Sequence, residues 1–150
     1  MLYIFDLDGT LIESNPNGPK DKVIFLPNVI KKCTKLHKAG HKLAIATNQG
    51  GCAFGHTTPD KVVEKLLEVA QYIPIAHWAW CPHHPQGTNS YAYECLCRKP
   101  EPGMIYECAL ELGYNSRRNI TMVGDMNSDF LAAQKAGIHF EWTNEFFKEV

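Results

Sequence analysis

Short apolar runs alternate along the chain with longer stretches whose apolar residues recur every three or four positions. Residues 2 to 6, 43 to 46, 75 to 80, 120 to 123 and 138 to 142 are the short runs and read as buried strands. Pro27 is tolerated in a first helical turn and opens a helix with Val29, Ile30, Cys33 and Leu36 inward, ended by Gly40. Thr58-Pro59 caps a second helix with Val62, Val63, Leu66, Leu67 and Ala70 on its core face. Pro102 opens a third, with Ile105, Cys108, Ala109 and Leu112 inward and Gly113 as its stop. Ser128 or Asn127 caps a fourth carrying Leu131, Ala132 and Ala136, stopped by Gly137, and Asn144 to Lys148 adds a terminal turn. Two stretches carry no such period. Residues 9 to 26, with Asn15-Pro16-Asn17-Gly18-Pro19, form a polar connection too short for a folded cap domain. Cys81 to Lys99 is irregular and rich in Cys and His.

Strands alternating with helices predict an α/β fold: a Rossmann-like three-layer sandwich, its mainly parallel sheet covered on both faces through right-handed crossovers. In such sheets ligands bind beyond the carboxyl ends of the strands. Asp6 and Asp8 end the first strand, Thr47 and Asn48 the second, and Asp125 the fourth, so all are expected on one edge. That convergence says more than any single motif. Alone, Asp6-Leu7-Asp8 fits a strand end followed by an Asp-Gly turn as well as it fits a site.

Composition adds limits. At 150 residues one domain over 1–150 is expected. Hydrophobic content is 45%, and no apolar run approaches the roughly 20 residues that span a bilayer. A strand beginning straight after Met1 leads to the expectation of no signal peptide. A net charge of -1 shows no electrostatic footprint for nucleic acid. Three of the six cysteines gather beside histidines in the 81–99 stretch, which suggests metal binding in a reducing compartment more than a disulfide framework.

Three carboxylates and a hydroxyl on one edge suit a hard cation, and Mg²⁺ fits a few carboxylates plus water and substrate phosphate. A carboxylate can also attack phosphorus and form an aspartyl-phosphate, while a second one nearby works as general acid and base. Phosphoryl transfer needs donors for the equatorial oxygens, and Thr47, the amides around Asn48 and Lys99 would supply them.

Asp6-Leu7-Asp8-Gly9-Thr10, Thr47-Asn48-Gln49-Gly50, Arg98-Lys99-Pro100 and Gly124-Asp125-Met126-Asn127-Ser128-Asp129 resemble, in order, the four motifs of the haloacid dehalogenase (HAD) superfamily of phosphatases. The resemblance spans nearly the whole chain. It implies a HAD-like fold without a large cap domain. Asp6 would be the nucleophile and Asp8 the general acid and base, with Thr47 and Lys99 on the phosphoryl group. Mg²⁺ would be held by Asp6, the backbone carbonyl of Asp8, and Asp125. Asp129 would stand behind the ligands, or simply be an acidic residue in a first helical turn. Asn48, Gln49, Gly50 and Arg98 are the candidate substrate contacts.

Cys81-Pro82-His83 is followed, eleven residues after His83, by Cys95-Leu96-Cys97. Ligands two apart in extended chain point the same way, so the two pairs can close a tetrahedral Cys₃His site for structural Zn²⁺. His84 could replace His83, but the i, i+2 geometry favours His83. Zinc would staple a loop (81–98) that has little apolar content to order itself, and would hold Arg98 and Lys99 over the catalytic edge. Such a loop in a capless HAD domain resembles the histidinol-phosphate phosphatase and D-glycero-D-manno-heptose-1,7-bisphosphate 7-phosphatase group. That resemblance implies a bound zinc, an arginine that helps recognise substrate, and a small sugar or polyol phosphate as substrate. Leu7 departs from the group's frequent Asp-Arg-Asp, and the 9–27 connection is short.

Other residues are assigned to structure. Cys33 and Cys108 read as small core hydrophobes. Cys52 is near the Thr47 loop and could be exposed. Trp78 and Trp80 read as packing residues. The leading expectation is a Mg²⁺-dependent phosphomonoesterase, a cytoplasmic monomer of carbohydrate metabolism, with no membrane partner and no nucleic-acid partner. The alternatives are a polynucleotide 3′-phosphatase and a non-catalytic domain that accepts a phosphoryl group or only binds.

Overall fold

A computed structural model describes residues 1–14 and 22–149; the Asn15–Pro19 connection lies outside them. The strands are β1 (Leu2–Phe5), β2 (Lys42–Asn48), β3 (Ile75–Cys81), β4 (Ile120–Gly124) and β5 (His139–Trp142). The helices are α1 (Val29–Lys38), α2 (Pro59–Ala70), α3 (Gly103–Leu112), α4 (Asn127–Ala136) and α5 (Thr143–Phe146). The sheet runs β3-β2-β1-β4-β5, and every neighbouring pair is parallel. Strand β1 is central, with Phe5 opposite Ile45 on one side and Val123 on the other. All strands therefore end at the same edge. A central parallel strand is covered on both faces, which explains why β1 is an unbroken apolar run rather than an alternating one.

The pleat sorts side chains into two cores. Phe5, Leu43 and Ile45 face α1, α2 and α5 through Val29, Cys33, Val62, Leu66, Val69 and Phe146. Leu2, Ile4, Ala44, Ala46 and Met122 face α3 and α4 through Ile105, Cys108, Ala132, Ala133 and Ala136. Full burial of each larger side chain contributes about 1.5–3 kcal/mol. The expected three layers are present. Leu7 lies in the first core with none of its surface exposed.

Helix details depart from the sequence reading. Helix α1 begins two residues after Pro27, because Asn28 takes a left-handed conformation (φ 68°) and its Nδ2 donates to the Phe147 carbonyl at 3.0 Å. Asn tolerates that region better than most residues. Ile30 and Leu67, expected inward, are exposed, and Val69 takes the buried place on α2. The cap of α4 is Met126 rather than Asn127 or Ser128; its N–H donates to Asp129 Oδ2 at 3.1 Å. Cys52 is buried, not exposed, in a 3₁₀ turn over Gly50–Phe54. Cys33 and Cys108 are core residues as expected. No helix among the described residues is long and apolar enough to cross a membrane.

Candidate active site

The chain leaves β1 at Asp6, whose N–H still donates to Val123 O at 3.0 Å and so continues the sheet. The loop then turns at Gly9, with φ +81°, where a Cβ would collide with the Asp125 carboxylate. Only glycine meets both demands. Thr10 is fully buried and donates to Asp125 Oδ1 at 3.3 Å. The end of β1 and the end of β4 are thus fastened to each other.

Lys99 is the centre of the arrangement. Its ammonium, almost wholly buried, donates to Asp6 Oδ1 at 2.9 Å, to Asp129 Oδ1 at 2.5 Å and to the Ala46 carbonyl at 2.8 Å. Its backbone is gripped by Asn48, which accepts from the Lys99 N–H at 2.9 Å and donates to the Lys99 carbonyl at 3.0 Å. The side chain of Asn48 is therefore committed to holding Lys99, and the contact expected with substrate is left to the backbone amides around it. Desolvation works against the Lys99 charge, but the carboxylates of Asp6 and Asp129 outweigh it and raise its pKa. Burial pushes Asp6 up to about 6, against the pull of Lys99 and with a contribution from contact with Asp125.

One oxygen each of Asp6, Asp125 and Asp129 lies within 4.8 Å of the others. Three carboxylates facing one ammonium leave an excess of negative charge, the condition under which a divalent cation is favourable. Asp129 already uses Oδ1 on Lys99 and Oδ2 on the Met126 N–H, whereas Asp125 is exposed. The donor set fits Mg²⁺ best through Asp6 and Asp125. The Asp8 side chain turns elsewhere: its Oδ2 accepts from Gln49 Nε2 at 2.9 Å and lies 3.4 Å from Lys65 Nζ. Gln49, expected to contact substrate, instead links Asp8 to Thr47, donating to Thr47 Oγ1 at 2.9 Å.

Lys65 is absent from the expected site. Its signal lies in the register of α2, where Val62, Leu66 and Val69 are buried, so that Lys65 flanks the inward stripe. A charge there needs a partner, and Asp8 is that partner.

Beside this edge, Cys81, His83, Cys95 and Cys97 present their ligand atoms within 4.8 Å of one another. The sulfurs are 3.0–3.2 Å apart, and His83 Nδ1 is 3.5 Å from Cys81 Sγ. A tetrahedral zinc with bonds of ~2.3 Å spaces its sulfurs ~3.8 Å apart, so these donors are gathered slightly tighter than an ion would hold them. His84 turns away, its Nδ1 accepting from the Gln86 N–H at 3.1 Å. Burial raises the Cys81 thiol. Burial works upward on Cys95 too, but hydrogen bonds from Cys97, Cys81 and the Arg98 amide bring it down to about 6. Thiols so arranged fit a metal that takes thiolate. The Arg98 N–H donates to Cys95 Sγ at 3.3 Å, and Arg98 Nη1 donates to the His83 carbonyl at 3.1 Å. That guanidinium lies across Gly50, where a Cβ would come within 2.8 Å of Nη1.

The chain is similar to known phosphatases. The family model described as polynucleotide kinase 3 phosphatase matches residues 1–147. The D-glycero-beta-D-manno-heptose-1,7-bisphosphate 7-phosphatase of Pasteurella multocida is 33% identical over 140 residues, covering 89% of this chain and 75% of the relative. Its counterpart in Haemophilus influenzae is 35% identical over 140 residues, covering 89% and 73%. Among solved structures, the D,D-heptose 1,7-bisphosphate phosphatase of B. bronchiseptica, complexed with magnesium and phosphate, superposes with a TM-score of 0.79. It is 28% identical, and the match covers 93% of this chain and 78% of that one.

Proposed function

The chain belongs to the polynucleotide kinase 3 phosphatase family and is a HAD-type phosphatase, and from that premise we propose that it hydrolyses a small sugar or polyol phosphate through an aspartyl-phosphate on Asp6. Heptose 1,7-bisphosphate is the first substrate to test, since the relatives named above act on it; histidinol phosphate is the second.

Asp6 attacks phosphorus, the ester P–O bond breaks, and Asp8 gives its proton to the leaving alkoxide. Water then attacks the same phosphorus, Asp8 takes a proton back, and inorganic phosphate leaves with Asp6 restored. Lys99 occupies Asp6 Oδ1, which leaves the other oxygen for attack. Asp6 is nearly buried, so its carboxylate carries little water that must be stripped before attack. Thr47 and Lys99 stabilise the equatorial oxygens as charge spreads over them. Mg²⁺, on Asp6 and Asp125 with the backbone carbonyl of Asp8 as a further ligand, would offset the phosphate charge. Zn²⁺ on Cys81, His83, Cys95 and Cys97 would be structural, since four protein ligands leave no open position. Arg98 and Gly50 border the leaving group, where Arg98 offers a planar cation to a hydroxyl or anionic group.

The observation that carries this reading is the Lys99 ammonium held between Asp6 and Asp129 at the strand edge. A panel of phosphomonoesters with Mg²⁺, assayed for phosphate release, tests it. The expected result is turnover of a sugar or polyol phosphate and none in Asp6→Asn. No turnover of any phosphomonoester, or an active Asp6→Asn, contradicts it. The family description favours a second reading, a polynucleotide 3′-phosphatase. The net charge of -1 weighs against it, and a 3′-phosphorylated oligonucleotide in the same panel decides between the two. A purely phospho-accepting role would leave a long-lived phosphoaspartate in place of turnover.

A further inference from the structure

We propose that Lys65 is the positioning residue for Asp8, acting both directly and by fixing which way the Gln49 amide points. Its effect on catalysis rests on the phosphatase reading above; its effect on orientation does not.

A glutamine amide has one acceptor oxygen and one donor nitrogen, and nothing in its shape decides between two orientations half a turn apart. Lys65 Nζ lies 3.3 Å from Gln49 Oε1. An ammonium can only donate, so it selects the orientation with oxygen toward α2. The NH₂ group is then forced toward Asp8 Oδ2 and Thr47 Oγ1, both at 2.9 Å. Reversed, the amide would set its oxygen against a carboxylate. The same ammonium lies 3.5 and 3.4 Å from the two oxygens of Asp8. Asp8 is thus held from two sides by one cation, once through space and once through an amide.

The cation is well suited to this. Gln49 is nearly buried, and its N–H donates to the Cys81 carbonyl at 2.7 Å, so its backbone cannot shift to compensate. Helix α2 is anchored by Thr58, which accepts from the Lys61 N–H at 3.3 Å. Asp8 keeps 31% of its side chain exposed, so replacing Lys65 leaves no buried charge unpaired in the core. An ordinary surface ion pair would do little. Here the pair bears on a hydrogen-bond chain that ends on two residues of the site, Asp8 and Thr47.

The test uses Lys65→Met, which keeps an unbranched side chain as far as Cε and removes the ammonium, with Lys65→Arg as the conservative variant. The first readout is ¹⁵N NMR of the Gln49 side-chain amide, identified by its loss in Gln49→Leu. In the parent protein its protons should be shifted and protected from exchange. In Lys65→Met they should move toward solvent-like values, and in Lys65→Arg they should return part of the way. The second readout is kinetic: kcat should fall roughly 10-fold or more in Lys65→Met, with KM changed less than about 3-fold and partial rescue in Lys65→Arg. Unchanged Gln49 signals in Lys65→Met overturn the proposal. So does a rise in KM with kcat unchanged, which would make Lys65 a substrate contact. A parent protein without phosphatase activity would sink the reading above, while the Gln49 signals would still decide the orientation.

Discussion

The two polar regions of the molecule stand side by side but are built in different ways. The aspartate edge is a product of the sheet. Asp6 continues β1 through its N–H, Thr47 and Asn48 lie within β2, and Asp125 follows β4, so hydrophobic register delivers each of them. The 81–98 loop has no such support. After Cys81 ends β3 the chain enters no helix or strand until Gly103, and four ligand atoms packed within 4.8 Å take the place of a core. The regions meet at Arg98 and Lys99: one residue donates to Cys95 Sγ, and the next enters the aspartate edge. A site assembled by packing should keep its shape when its chemistry is removed. A loop assembled by ligands should lose its shape with them.

The largest effect is expected at the nucleophile. Asp6→Asn should lower kcat on the order of 10³-fold or more with the far-ultraviolet circular dichroism unchanged, because the asparagine fills the same space and Lys99 keeps Asp129. Loss of secondary structure would show that the edge is not fixed by the sheet alone. Next comes Cys95→Ser, or removal of metal by a strong chelator. Melting should move down by at least about 5 °C, and activity should fall with it; zinc should restore the chelated protein where magnesium does not. A melting curve indifferent to chelation would remove the proposed zinc from the account. Asn48→Ala tests the joint. It leaves the buried Lys99 backbone without partners, which costs about 1–3 kcal/mol, and kcat should drop roughly 10- to 100-fold. Gly50→Ala should have the smallest effect: a Cβ crowding Arg98 should raise KM a few-fold and leave kcat and the melting point nearly alone. A large loss of stability there would mean that Arg98 serves the fold more than the substrate.

Most of the architecture was legible because strands and helices have different periods. The order of elements, the parallel sheet and the edge bearing Asp6, Thr47 and Asp125 follow from apolar spacing. So does the Cys81, His83, Cys95, Cys97 cluster, since its signal is spacing as well. What escaped depended on side chains meeting across elements. Asn48 and Gln49 were candidate substrate contacts as part of the Thr47-Asn48-Gln49-Gly50 motif; their side-chain amides turn inward, to Lys99 and to Asp8, and no period in the sequence encodes that. Lys65 was hidden for the same reason, its partner lying 57 positions away. The start of α1 was displaced by Asn28, a local choice that the helix-opening Pro27 immediately before it masks.

The central claim is that Asp6, and not Asp8, carries the phosphoryl group. Parent protein with Mg²⁺ and a turned-over phosphomonoester can be acid-quenched, reduced with borohydride and mapped by mass spectrometry. An acyl phosphate is reduced to an alcohol at the residue that held it. Conversion of Asp6 to homoserine, with Asp8 and Asp125 intact, is the predicted result. Conversion at Asp8 or Asp125, or of none of the three in a protein that is turning over substrate, would contradict the account.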